Sequence, residues 1–138
     1  VLGFMQQPGR SRGEDRRSLD AIYTRFPRLS ERRGQMGTTL SGGEQQMLAM
    51  ARVLVGAPRL LLIDEPTEGL APKIVDEIFG LMEGLRRDGI PILLVEQNMH
   101  RAIGILQRFY VLERGAVVLE GDGGNTSHRE ALVRQLAV

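Results

Sequence analysis

Apolar residues recur along the chain with two distinct periods. In residues 14–26, Leu19, Ile22, Tyr23 and Phe26 fall at i, i+3, i+4 and i+7, the spacing of one helix face. Pro27 is expected to end that helix, with a further short turn of helix running to Arg33. Met47, Met50, Ala51, Leu54 and Val55 mark a second helix over 43–55, stopped by Gly56-Ala57-Pro58. The run Leu60 to Ile63 has no polar alternation, as expected of a parallel strand covered on both faces. Pro72 suits the first position of a third helix, 72–87, with Ile74, Ile78, Leu81, Met82 and Leu85 on its buried side. Ile90 to Val95 predicts a second buried strand, with Pro91 at its start, where a missing donor is tolerated. Met99 to Leu106 predicts a short helix, and Arg108–Leu112 and Ala116–Glu120 two strands around the turn Glu113-Arg114-Gly115. The glycine-rich stretch Gly121 to Asn125 is expected to be a linker. Ser127 to Glu130 then has the form of a capping box before a last helix through Leu136. Residues 1–13, rich in Gly, Pro, Gln and Arg, predict a loop. Strand, helix, strand, helix in this order predicts an α/β fold with a mostly parallel sheet flanked by helices.

Composition narrows the classes without choosing among them. The 138 residues suffice for a domain with a core, and 42% hydrophobic with 25% charged residues is ordinary for a globular chain. A net charge of +1 gives no pull towards nucleic acid, and the arginines up to Arg16 have no aromatic residues among them, so a solvated loop is expected there. The absence of cysteine excludes disulfides and thiolate metal sites. Asn125-Thr126-Ser127 has the form of a glycosylation sequon, which chance explains.

The candidate chemistry lies in two stretches. Ser41, Gly42 and Gly43 open the second helix, where unpaired N–H groups and the positive end of the helix dipole suit a phosphate, and glycines let the backbone approach it. Asp64 and Glu65 end the first strand as adjacent carboxylates, one suited to hold Mg²⁺ and the other to act on water. The order Leu40-Ser41-Gly42-Gly43-Glu44-Gln45, then Leu60 to Asp64 and Glu65, resembles the ABC ATPase family: its signature motif, its Walker B strand and its catalytic carboxylate.

The resemblance implies a partial ABC-type nucleotide-binding domain, with residues 1–40 part of a helical subdomain and 41–138 the C-terminal half of the domain. It implies that Ser41, Gly42, Gly43, Glu44 and Gln45 meet the γ-phosphate of ATP held by a second ATPase subunit. Asp64 would hold Mg²⁺ through water, Glu65 would polarise the attacking water, and Gln97 would stand where most members have a switch histidine. Ala71 stands where many members have an aspartate. These departures, with Glu68-Gly69-Leu70-Ala71-Pro72 and Val95-Glu96-Gln97-Asn98, resemble the branch of ATPase subunits serving branched-chain amino-acid and urea importers. His100 and His128 are expected on the surface. The implied partners are transmembrane permease subunits, a second ATPase subunit and, indirectly, a solute-binding protein. The implied location is cytoplasmic, on the inner face of the cell membrane.

One element of such a catalyst is missing from the sequence. The only lysine, Lys73, follows Pro72, so no G-x-x-x-x-G-K-[ST] phosphate loop occurs. The chain is therefore expected to be marginally stable and to have no ATPase activity by itself. The alternatives are a non-catalytic module that completes a partner's ATP site, a urea or amide importer ATPase, and a non-transport ABC ATPase acting on DNA or ribosomes. No basic stripe supports the last.

Overall fold

The structure, a computed structural model, describes residues 12–136. It divides between Val95 and Glu96 into two compact units. The first contains α1 (Arg12–Arg25), α2 (Pro27–Glu31), a 3₁₀ turn (Gly37–Thr39), α3 (Gly42–Leu54), β1 (Leu61–Asp64), α4 (Pro72–Arg87) and β2 (Ile92–Val95). The second contains α5 (Met99–Ala102), β3 (Arg108–Glu113), β4 (Ala116–Asp122) and α6 (Thr126–Leu136).

In the first unit β1 and β2 pair in parallel, with Leu61 opposite Ile92 and Asp64 opposite Val95. The chain crosses between them through α4, as parallel strands require. Ile78, Met82 and Leu85 of α4 are fully buried, with Val75 and Phe79 beside them. The buried face is thus turned from the expected one: Ile74 and Leu81 are only half-buried. Apolar residues cover a wide arc of this helix, and several stripes fit the period equally well. Position against the sheet, not periodicity, selects among them.

The strands are not covered on both faces. Leu61, Ile63, Ile92 and Leu94 point to the covered side, whereas Leu62, Leu93 and Val95 are 72, 58 and 54% exposed. Alternation of two along each strand puts these three on one side with Asp64. The uniformly apolar runs predicted burial on both sides, but these three side chains are left largely in water.

α2 holds to the rest of the first unit through buried Phe26 and Leu29 and through charge. Arg28 pairs with Glu77 of α4 at 2.7 Å, Arg32 with Glu44 of α3 at 3.4 Å, and Arg25 at the end of α1 with Asp88. Half-exposed pairs such as these contribute about 0–1 kcal/mol each. Their value lies in fixing where the helices sit. The expected N-terminal loop lies outside the described residues up to residue 11; Arg12 and Gly13 already belong to α1.

In the second unit β3 and β4 form an antiparallel hairpin closed by Arg114-Gly115. Both turn residues have positive φ, 47° and 82°, the conformation whose twist suits a two-residue hairpin loop. β4 runs on to Asp122, into the expected linker. Gly121 allows this: a Cβ there would lie 2.5 Å from the Phe109 ring and 2.9 Å from His128 Cβ. Only glycine lets those groups close over the strand. The helix expected over 99–106 is regular only through Ala102, and turn hydrogen bonds carry the chain from there to Leu106. The residue that caps α6 is Asn125, not Ser127: the His128 N–H donates to Asn125 Oδ1 at 3.2 Å. Asn in the N-cap position is favoured for the same reason as Ser, so the helix starts where the better-placed side chain stands.

Candidate functional site

Leu40 is buried and Ser41 is extended, with φ −63° and ψ 160°, as an N-cap must be. The Ser41 side chain accepts from the Glu44 N–H at 3.4 Å, and Ser41 N–H donates back to Glu44 Oε2 at 2.9 Å. The Ser41 hydroxyl donates to that same oxygen, also at 2.9 Å. The start of α3 is therefore a complete capping box. Gln45 turns its side-chain amide back to the Leu40 carbonyl at 2.9 Å.

The two glycines differ in their surroundings. A Cβ on Gly43 would stand 2.5 Å from Ile74 Cγ2, so this residue is glycine because α4 lies against it. A Cβ on Gly42 would meet Leu70 at an ordinary 3.6 Å. Gly42 is exposed and Gly43 buried. Packing leaves the glycine at 42 unexplained, whereas helix packing alone accounts for the glycine at 43.

Glu44 carries the charge of this helix start. Hydrogen bonding from the Ser41 backbone, then from its hydroxyl, holds its carboxyl below the ordinary value of 4.5, and the guanidinium groups of Arg32 and Arg28 act the same way. The folded protein thus binds fewer protons at Glu44 than the unfolded chain as pH falls. The contribution to stability is whole above pH 4.5 and is lost as pH falls through the lower folded value. Glu44→Gln is expected to lower the urea midpoint at neutral pH, by a margin that shrinks as pH falls below 4.5. Denaturation series at neutral pH and at successive values below 4.5 check this.

Asp64 closes β1 and is exposed. Glu65 follows at φ 43°, a left-handed conformation rare for a residue with a side chain. Its N–H donates to the Val95 carbonyl at 2.9 Å, carrying the parallel ladder one step past the strand. Fully buried Pro66 and buried Thr67 anchor the turn that follows. The Glu65 carbonyl accepts from the Glu68 N–H at 3.3 Å, and Gly69 at φ 68° completes the turn. Strand pairing on one side and a buried proline on the other hold Glu65 in its unusual backbone. The same turn brings Leu70 against Gly42 and Ile74 against Gly43, so the two motifs share one packed corner of the first unit. Ala71 is the N-cap of α4 and has no side chain with which to cap it.

Among the described residues no three His, Cys, Asp or Glu side chains are grouped closely enough to hold a metal ion. A Mg²⁺ that accompanies a nucleotide needs no such group, because it uses one or two carboxylates with phosphate oxygens and water. An exposed carboxylate at the mouth of β1 fits that demand.

Gln97 belongs to the second unit and is exposed. Glu96 Oε1 accepts from the N–H groups of Gln97 and Asn98, each at 2.9 Å, and so shapes the loop that carries it. His128 accepts at Nδ1 from the Asp122 N–H at 3.0 Å, a structural link between β4 and α6. Arg32 was not singled out by the sequence. It precedes Glu44 by a full turn and loop, and no periodic pattern connects the two.

Residues 6–68 match the family model described as ABC transporter. The chain is 50% identical over 105 residues to the high-affinity branched-chain amino acid transport ATP-binding protein BraG of Pseudomonas aeruginosa, covering 76% of this chain and 45% of that protein. It is 42% identical to a probable branched-chain amino acid transport ATP-binding protein, LivF, of Archaeoglobus fulgidus, covering 81% of this chain and 48% of that one. The chain thus spans about half the length of the curated relatives it matches. A nucleotide-free ATP-binding cassette from an ABC transporter shares the fold over 95% of this chain and 52% of its own, with a TM-score of 0.79 at 21% identity. A bacterial ABC transporter cassette solved as a dimer matches 87% of this chain and 52% of its own at 30% identity, with a TM-score of 0.71. The chain belongs to the ABC transporter ATP-binding family and has the fold of part of its ATPase domain. No helix among the described residues is long and apolar enough to cross a membrane.

Proposed function

We propose that the chain is the signature-bearing and carboxylate-bearing part of the ATPase subunit of an importer for branched-chain amino acids. What carries the reading is the packed corner where the Ser41-Gly42-Gly43 helix start meets the turn after Asp64-Glu65, in a chain half identical to BraG over its matched residues. Residues up to 40 belong to the helical subdomain in this reading, and 41–138 to the C-terminal half of the nucleotide-binding domain. Ser41, Gly42 and Gly43 offer the positive end of α3 to the γ-phosphate of an ATP whose other side is held by the phosphate loop of a second subunit. Glu44 and Gln45 shape that helix start. Asp64 holds Mg²⁺ through water. Glu65 receives a proton from the water that attacks the γ-phosphate, and the Gln97 amide donates to the phosphate. Permease subunits in the membrane, served by a solute-binding protein, couple this turnover to transport.

The source gene upstream of the Val1 codon tests the architecture. A frame that continues into G-x-x-x-x-G-K-[ST] puts both halves of the domain in one polypeptide. A start codon with no such motif ahead of it makes the chain a module that completes a partner's ATP site. Uptake of labelled leucine in cells with the gene disrupted tests the substrate. Loss of leucine uptake is expected; intact leucine uptake with loss of urea uptake overturns the branched-chain assignment.

A further inference from the structure

A capped helix start that receives a phosphate faces an electrostatic conflict. The Glu44 carboxylate lies in the first turn of α3, where its negative charge offsets the helix dipole that should attract the anion. It also engages the Ser41 hydroxyl, the side-chain donor of the N-cap residue. The structure contains a residue that addresses both effects. Arg32, the C-cap of α2, places its guanidinium Nε 3.4 Å from Glu44 Oε1, while Oε2 takes the Ser41 N–H and hydroxyl.

We propose that Arg32 is a positioning residue for Ser41: by holding one oxygen of Glu44 it fixes the other beneath the Ser41 hydroxyl and offsets the carboxylate charge. The functional use of this arrangement rests on the reading of α3 as a phosphate-binding start. The charged groups facing Glu44 are Arg32 and, farther off, Arg28, itself paired with Glu77 of α4. Arg28 therefore does not substitute for Arg32 at the carboxylate. Because Arg32 is carried by α2, which buried Leu29 anchors, a displacement of α2 takes the guanidinium off Glu44 and loosens Ser41. The position of a short helix is thereby tied to a serine hydroxyl on another element.

The test uses the full chain and no nucleotide, so its outcome is separate from that of the proposed function. Glu44 is titrated by carboxyl NMR and amide exchange is followed at Ser41 and at Ala51 in the middle of α3. In Arg32→Gln the Glu44 carboxyl is expected to titrate closer to 4.5, and the Ser41 N–H to exchange about two- to fivefold faster, the range an ion pair of this exposure is worth. Ala51 exchange stays as in wild type. Arg32→Lys is expected to restore both readings in part, since an ammonium can pair with a single carboxylate oxygen. Unchanged Glu44 titration and Ser41 exchange in Arg32→Gln overturns the proposal. So does equal acceleration at Ser41 and Ala51, which marks general loosening of α3.

Discussion

Glu65→Gln is expected to lower ATP turnover of the assembled transporter by about 10²- to 10⁴-fold, the range of a lost general base, without disturbing the fold. The substitution keeps shape and removes the ability to take a proton at the neutral working pH. The backbone that presents the residue is held by main-chain pairing and packing. Its N–H donates to Val95, Pro66 is buried behind it, and a straight-chain amide adopts φ 43° no less readily than the acid. Phosphate release at saturating ATP and Mg²⁺ is the measurement. A variant within tenfold of wild type removes Glu65 from the role of base. The 138-residue chain by itself is expected to release no phosphate, since its one lysine cannot cradle a triphosphate. Turnover by the chain alone that disappears in Glu65→Gln would refute that expectation.

What was legible in the sequence was local chemistry. Pro72 at the first position of α4, the glycine that lets Arg114-Gly115 close its hairpin, and Ser41-Gly42-Gly43 at the start of α3 each specify their neighbours' backbone without outside help. The apolar runs located both parallel strands for the same reason. What was not legible depends on which element lies opposite. Val75 and Phe79 are buried because of how α4 is turned on the sheet, a rotation its wide apolar arc leaves undetermined. Leu62 and Leu93 read as core, yet they stand on an open face. At the site, a phosphate-binding role was assigned to Gly43 by motif, but the structure supplies a packing cause in Ile74 that no motif contains. Arg32 became visible only when the fold brought α2 to the start of α3.

The open face and the buried face of the first unit give opposite expectations for the same kind of residue. Met82 is fully buried on α4, so Met82→Ala is expected to cost about 2–5 kcal/mol through lost transfer energy and the cavity left behind. That is a large part of the roughly 5–15 kcal/mol that stabilises a domain. The first unit starts from less, because each large side chain left in water forgoes about 1.5–3 kcal/mol of burial, and Leu62, Leu93 and Val95 are all largely exposed. Met82→Ala is therefore expected to bring the urea midpoint close to zero. Leu62→Lys removes an apolar residue of similar bulk from the open face, and its expected change is within about 0.5 kcal/mol. It should instead reduce self-association, since a lysine on a strand at the edge of a two-stranded sheet opposes edge-to-edge and face-to-face contact. Urea unfolding followed by circular dichroism separates the two effects on stability, and sedimentation velocity reads association. If Leu62→Lys lowers the midpoint as far as Met82→Ala does, the second face of the sheet is covered in solution, and the stability of the chain must be reckoned with whatever lies over it.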